Sequence, residues 1–176
     1  MPPSPEGPPD HVIRAVTADE VHISASILDA AAAWAKSQGR ASWPPGWFIE
    51  PDGEGIARLR HDIESNSLFI VWIGDEPAAT FALPTVDTRF WPDAADDALY
   101  LHRFGVRRHG ADIGRRAIGW MVGEARRRGR PYLRLDCLAD NPDIRRYYEE
   151  CGFLERGETT IDGTRFSLYE LPVAGT

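Results

Sequence analysis

The chain is short of lysine, cysteine and long apolar runs, and each shortage rules something out. Among 176 residues only Lys36 is a lysine, against 19 arginines; that skew reflects a GC-rich genome and carries no functional meaning. No apolar run approaches the roughly 20 residues that cross a bilayer, so no membrane association is expected. The opening MPPSPEGPPD has neither the basic flank nor the apolar centre of a secretory signal. The two cysteines, Cys137 and Cys151, are therefore expected as reduced thiols in a cytoplasm and not as a disulfide. A net charge of −7 argues against a non-specific nucleic-acid binder. There is no internal repeat. The 43% hydrophobic and 10% aromatic residues suffice for the core of one domain. It is expected over residues 10–176, after a flexible Pro-rich tail, 1–9.

Charge is unevenly spread. Residues 1–100 hold 16 acidic and 6 basic residues, whereas residues 103–134 hold 10 arginines against Asp112 and Glu124. A basic segment in an acidic chain points to a local anion such as a phosphate group. Arg126, Arg127, Arg128 and Arg130 read instead as the solvated face of a helix.

Periodicity predicts a strand over 11–16, then a helix opened by the capping box Thr17–Glu20 and stopped near Gly39. A Pro/Gly loop covers 42–53 and a second helix 55–65. Two strands span 67–83 around the turn GDEP, and an irregular arm, 84–97, leads to a strand over 98–106. A helix from 113 to about 128, a strand over 130–139, a short helix from Asn141 and two closing strands complete the chain. The order β-α-α-β-β-β-α-β-α-β-β predicts an α/β (α+β) fold, a mixed sheet with helices on both faces.

Two passages are sharper than the rest. In NPDIRRYYEECG (141–152), Asn141 suits the N-cap, Pro142 the first helical position and Gly152 the C-terminal left-handed position. Ile144, Tyr147, Tyr148 and Cys151 recur at helical spacing, so both tyrosines point inward, where core packing is the simplest reading. In RRHGADIGRR (107–116), a glycine-containing turn runs into a helix. Gly110, Ala111, Ile113 and Gly114 supply small or bendable backbone, and Arg107, Arg108, Arg115 and Arg116 supply charge. Such a turn grips a phosphate through the free N–H groups of the helix. Asp112 sits in its middle. As N-cap its carboxylate would occupy those same N–H groups.

The strand YLHRFGV, this loop and the segment Asn141 to Phe153 together resemble the GNAT superfamily of acyl-CoA-dependent N-acyltransferases. The resemblance is specific from Ala98 to Arg156. It implies a mostly antiparallel sheet whose central parallel pair, 98–106 and 130–139, splays at its C-terminal ends. Main-chain groups of Phe104, Gly105 and Val106 would hold the pantetheine. Arg107, Arg108, His109, Gly110, Ala111, Asp112, Ile113, Gly114 and Arg115 would hold the pyrophosphate, with Asn141 and Tyr148 completing the cofactor set. The family's loop pattern is Gln/Arg-x-x-Gly-x-Gly/Ala. This chain departs from it, with His109 at the first position and Asp112 at the central glycine.

The resemblance also implies a mechanism, direct attack of an amine on the thioester. Tyr148 takes the family's tyrosine position and is the candidate acid. His102 lies four residues before Val106, where arylalkylamine N-acetyltransferases carry a histidine in a similar strand; it is either the candidate base or a strand histidine satisfied by a neighbour. Trp43, Trp47 and Trp91 are candidate acceptor-site residues, and Asp87, Asp93, Asp96 and Asp97 could attract a cationic acceptor. The expected activity is acetyl transfer from acetyl-CoA to a primary amine of a small molecule, with no metal, no nucleic acid and no membrane, and a homodimer as candidate assembly. A catalytically degenerate GNAT-fold binding protein is the alternative. A transferase acting on aminoacyl-tRNA is disfavoured by the net charge.

Overall fold

The computed structural model describes residues 11–40, 43–107 and 112–173; the expected tail lies outside them. Strand β1 (His11–Ala15) enters a 3-10 turn (Ala18–Glu20) and helix α1 (Val21–Ser37). The Thr17–Glu20 capping box forms, with the Thr17 N–H donating to the Glu20 carboxylate at 3.1 Å. Helix α2 (Glu54–Glu64), strands β2 (Leu68–Ile73), β3 (Glu76–Ala82) and β4 (Ala98–Val106), helix α3 (Ile113–Arg127), strand β5 (Tyr132–Leu138), helix α4 (Pro142–Glu150) and strands β6 (Leu154–Ile161) and β7 (Thr164–Pro172) follow. The expected order is the observed one, with ends displaced by a residue or two.

One seven-stranded sheet runs β1-β2-β3-β4-β5-β7-β6. Every neighbouring pair is antiparallel except β4 and β5. A parallel pair needs a crossover, and α3 supplies it. The run LFIVWI of β2 is apolar at every position because both faces are covered: Phe69 and Val71 join the core beneath α3 and α4, and Leu68 and Ile70 the core beneath α1 and α2. In α3, Ile113, Ala117, Met121 and Ala125 are spaced four apart and buried, the stripe that seats the helix on the sheet. Arg126 and Arg127 are exposed and Arg128 and Arg130 half-buried, close to the solvated helix face expected of them, and ion pairs hold three of the four. Glu124 binds Arg127 and Arg128 at 2.6 Å, and Arg130 binds Asp96. Among the described residues no helix is long and apolar enough to cross a membrane.

Candidate active site

The centre of the sheet opens into a gap. Strands β4 and β5 pair only from Ala98–Tyr132 to Leu101–Leu135. Beyond that, β4 continues along β3 and β5 along β7, so the edge of β4 facing the gap loses its strand partner. The divergence coincides with a bulge. His102 faces Ala82 and Gly105 faces Thr80, which leaves Arg103 and Phe104 both opposite Phe81. Arg103 takes the extra place in a left-handed conformation, φ 48°,. Two successive side chains then leave the same face of the sheet. His102 points away from the α3 core, and so does Arg103, whose guanidinium makes a two-pronged bond to the buried Asp62 of α2 (2.7 and 2.8 Å). Phe104 turns back to pack edge-on against Phe81, 6.2 Å between centroids. Gly105 lies directly under α1; a Cβ there would approach Leu28 Cδ2 to 3.0 Å.

At the start of the gap His102 stands between two carboxylates. Its Nε2 is 2.9 Å from Oδ2 of Asp87, in the arm before β4. Asp87 also accepts the main-chain N–H groups of Arg89 (3.2 Å) and Phe90 (3.1 Å). Burial raises its pKa, but the bonds from His102 and the two N–H groups outweigh burial and hold it below the usual carboxylate range,. In the neutral ring, an ionised Asp87 takes the Nε2–H and leaves the lone pair on Nδ1. Nδ1 faces Oδ1 of Asp136 at 3.5 Å. That oxygen is buried and receives no hydrogen bond, and burial pushes the Asp136 carboxyl up to about 6. The ligand atoms of the three side chains lie within 4.8 Å of one another. The two carboxylates approach different nitrogens of the ring, Asp87 at Nε2 and Asp136 at Nδ1.

On the other face of the sheet, in the core beneath α3, α4 presents two tyrosines. Tyr148 is buried, its ring edge-on to Phe153 and Tyr147. Burial, with Cys137 and then Tyr147 and Asp136 nearby, drives its pKa far above that of a free phenol. Tyr147 lies over the first turn of α3, its hydroxyl in the space that a side chain at Gly114 would fill. The thiols are free, and burial pushes Cys137 up to about 12 and raises Cys151.

The sequence model of the acetyltransferase (GNAT) family matches residues 28–153, a span that holds the bulge, the gap and α4. The chain belongs to that family. It is an acyl-CoA-dependent N-acetyltransferase by class. An uncharacterised N-acetyltransferase of Bacillus subtilis (strain 168), YesJ, is 26% identical over 151 residues, covering 82% of this chain and 80% of that one. A GNAT-family acetyltransferase from Listeria monocytogenes superposes with TM-score 0.75 at 23% identity over 92% of this chain and 94% of that one. YncA of Salmonella typhimurium, solved with its cofactor acetyl-CoA, superposes with TM-score 0.64 at 13% identity over 94% and 95%. These two likenesses are of fold.

Against the GNAT frame the remaining candidates divide. Phe104, Gly105 and Val106 lie along the open side of the gap. Arg108, His109, Gly110 and Ala111 lie outside the described residues. Asp112 holds the N-cap place of α3, its C=O accepting from the Arg116 N–H at 3.1 Å, but its carboxylate caps nothing. At φ 55° and ψ 18° the residue is left-handed, whereas side-chain capping needs an extended N-cap. The expected competition for the helix amides is therefore absent, and the carboxylate instead lies 3.7 Å from Arg115. Arg115 itself ties α3 to Glu150 (2.8 Å), and Arg116 meets His11 (3.1 Å). Arg107 bonds Ser26 at 3.1 Å and lines a cavity of about 330 Å³ with Pro77 and Ala78. Asn141 is the N-cap of α4, accepting from Ile144 N–H at 3.2 Å. Trp43 and Trp47 pack edge-on to Phe48, and Trp47 under Arg58, contacts of the α1–α2 core and not of the His102 cluster. Trp91 stacks on Arg134 and borders a small cavity of about 90 Å³ that Asp87 also lines. Asp96 and Asp97 are bound to Arg130 and Arg134.

Sequence reasoning missed Asp136 and the Asp62–Arg103 pair. One signal was present for the bulge: the apolar positions of ALYLHRFGV run 99, 101 and then 104, 106, a one-residue slip in the alternation. For Asp136 the signal was a carboxylate in a strand otherwise alternating Leu133, Leu135, Cys137.

Proposed function

We propose that this GNAT enzyme transfers an acetyl group from acetyl-CoA to a primary amine of a small molecule, by direct attack, in a cytoplasmic setting where its thiols stay reduced. The observation that carries the reading is His102 held by Asp87 at the point where β4 and β5 part. The acetyl-CoA found with the Salmonella relative supports the choice of donor. The open edge of β4 at Phe104–Val106 would take the pantetheine, and the N-terminus of α3 with its flanking arginines the pyrophosphate.

An alkylammonium, with a pKa of about 10.4, must lose a proton before it can attack. Nδ1 of His102 accepts it, with Asp87 fixing the ring and stabilising the imidazolium. The amine lone pair then adds to the thioester carbonyl carbon; the C–N bond forms and the C–S bond breaks. The departing sulfur carries the electron pair. Tyr148, whose hydroxyl stays protonated throughout the neutral range, donates a hydrogen bond to it. A phenol raised in this way is a weaker acid than a thiol, whose pKa is about 8.5, so the hydrogen bond assists departure without a lasting transfer. The second amine proton neutralises the thiolate, and the first returns from His102 to solvent. Neither cysteine is a thiolate at neutral pH, which disfavours an acyl-cysteine intermediate.

The test is calorimetry with acetyl-CoA, then release of free CoA across an amine panel. Tyr148→Phe is expected to lower kcat by tenfold or more at little change in acetyl-CoA affinity, and Tyr147→Phe to do much less. Equal losses from both would make the tyrosines structural. No binding of acetyl-CoA would leave a non-catalytic GNAT-fold protein.

A further inference from the structure

The carboxylate of Asp136 is not accounted for by the scheme above, and its surroundings say what it lacks. Its Oδ1 is buried with no hydrogen bond. Its other oxygen has no protein partner among the described residues either. Yet it is not shut off as Oδ1 is, because the side chain keeps 11% of its exposure. The cations near it are already bound elsewhere: Arg103 to Asp62 at 2.7 Å and Arg89 to Asp162 at 3.0 Å. Asp87 adds a second negative charge across the ring of His102 and is fully engaged. The phenol of Tyr148, buried and uncharged, lies close enough to feel the Asp136 carboxylate but makes no hydrogen bond to it. With the ring neutral and Asp136 ionised, the carboxylate and Nδ1 of His102 present two acceptors 3.5 Å apart, and no other side chain among the described residues donates to either. Two lone pairs in that arrangement repel, and a buried unpaired carboxylate is costly. The group that satisfies both is a small cation carrying several N–H donors, entering where the strands part.

We propose that Asp136 is the acceptor-binding carboxylate: its open oxygen takes the acceptor as an alkylammonium ion, and Asp136 and His102 act as one coupled pair in removing the ammonium proton. This rests on the acetyltransferase reading and adds a substrate class to it. The preferred acceptors are basic primary alkylamines, cationic at neutral pH, and not neutral aromatic amines, for which the carboxylate offers nothing.

The experiment uses the full chain, wild type and Asp136→Asn, with n-butylamine and aniline as probes and acetyl-CoA or CoA as partner. With acetyl-CoA, Asp136→Asn is expected to raise KM for n-butylamine at least tenfold and to affect aniline markedly less, leaving KM for acetyl-CoA within twofold. A second readout needs no turnover. The His102 imidazole, followed by NMR in the CoA-bound protein, should shift on adding n-butylammonium chloride in wild type and not in Asp136→Asn. A His102 signal that ignores n-butylammonium in wild type, or responds alike in both proteins, overturns the inference. Calorimetry keeps the two failures apart: intact acetyl-CoA binding with an indifferent Asp136→Asn sinks only this proposal, whereas lost CoA binding in wild type sinks the reading beneath it.

Discussion

At φ 55° and ψ 18° the backbone of Asp112 lies where glycine is at ease and most side chains are strained,. Its carboxylate, largely exposed and drawn towards Arg115, acts on an anion at the helix start only through charge. A charge at a helix terminus is worth roughly 0.3–1 kcal/mol when exposed and is screened by salt. Asp112→Gly should therefore tighten acetyl-CoA binding about two- to fivefold at low ionic strength, with the gain shrinking at moderate salt. Stability should change by less than about 1 kcal/mol, since relief of the left-handed strain offsets the extra freedom glycine brings to the unfolded chain. Dissociation constants by calorimetry at two salt concentrations check this. Weaker binding by the variant would mean that Asp112 holds the loop in its binding shape.

The bulge of β4 is the element on which the site depends, because it parts β4 from β5 and puts His102 and Arg103 on one face. A non-glycine residue in the left-handed region costs of order 1–3 kcal/mol. Arg103 stays there because its guanidinium is gripped by Asp62, 5% exposed, from α2. Removing one partner of such a pair costs about 3–5 kcal/mol. Asp62→Ala is expected to destabilise the protein by that order and to raise KM for acetyl-CoA, as the gap edge loses its fixed shape. Arg103→Gly in the Asp62→Ala background removes the orphaned guanidinium and the strain together, so the double variant should recover most of the stability. Denaturant unfolding of the four proteins gives the cycle. Additive losses would show that the pair does not hold the bulge. This element was only partly legible in the sequence. The slip of apolar positions from 99 and 101 to 104 and 106 marks an inserted residue, whereas the partner, Asp62, lies 41 residues away on a helix whose placement no local pattern encodes.

Across the whole molecule the same division recurs. Element order, the capped helices and the parallel pair were legible because each rests on contacts between near neighbours or on a covered sheet face. The cluster Asp87–His102–Asp136 was not, because its members come from an irregular arm and from two strands joined through α3. The balance of carboxylates in that assembly predicts how stability follows pH. Glu20, Asp87 and Glu124 have pKa values below their ordinary ones. Each therefore contributes stability that is present above its unfolded pKa and is lost as pH falls through the folded one. Asp136 works in reverse. Desolvation by burial, partly offset by His102 and reinforced by Asp87, raises it from 3.8 to about 6. The folded protein then holds a proton that the unfolded chain has released, so stability falls as pH rises from about 4 to about 6 and stays reduced above. A rise of about 2 units at about 1.4 kcal/mol each sets this loss at no more than about 3 kcal/mol. Wild type should thus be most stable near pH 5, between the two effects. Asp136→Asn removes the falling limb: its stability should rise to a plateau above pH 5 and exceed wild type at pH 7.5, while turnover of alkylamines declines. Urea unfolding at half-unit steps from pH 4 to pH 8 measures both curves. Parallel curves for the two proteins would mean that Asp136 is ionised without penalty and that the gap supplies a partner for it. A wild-type curve that falls and a variant curve that does not would show that the carboxylate is kept at a cost to stability, as a site kept for a cationic acceptor requires.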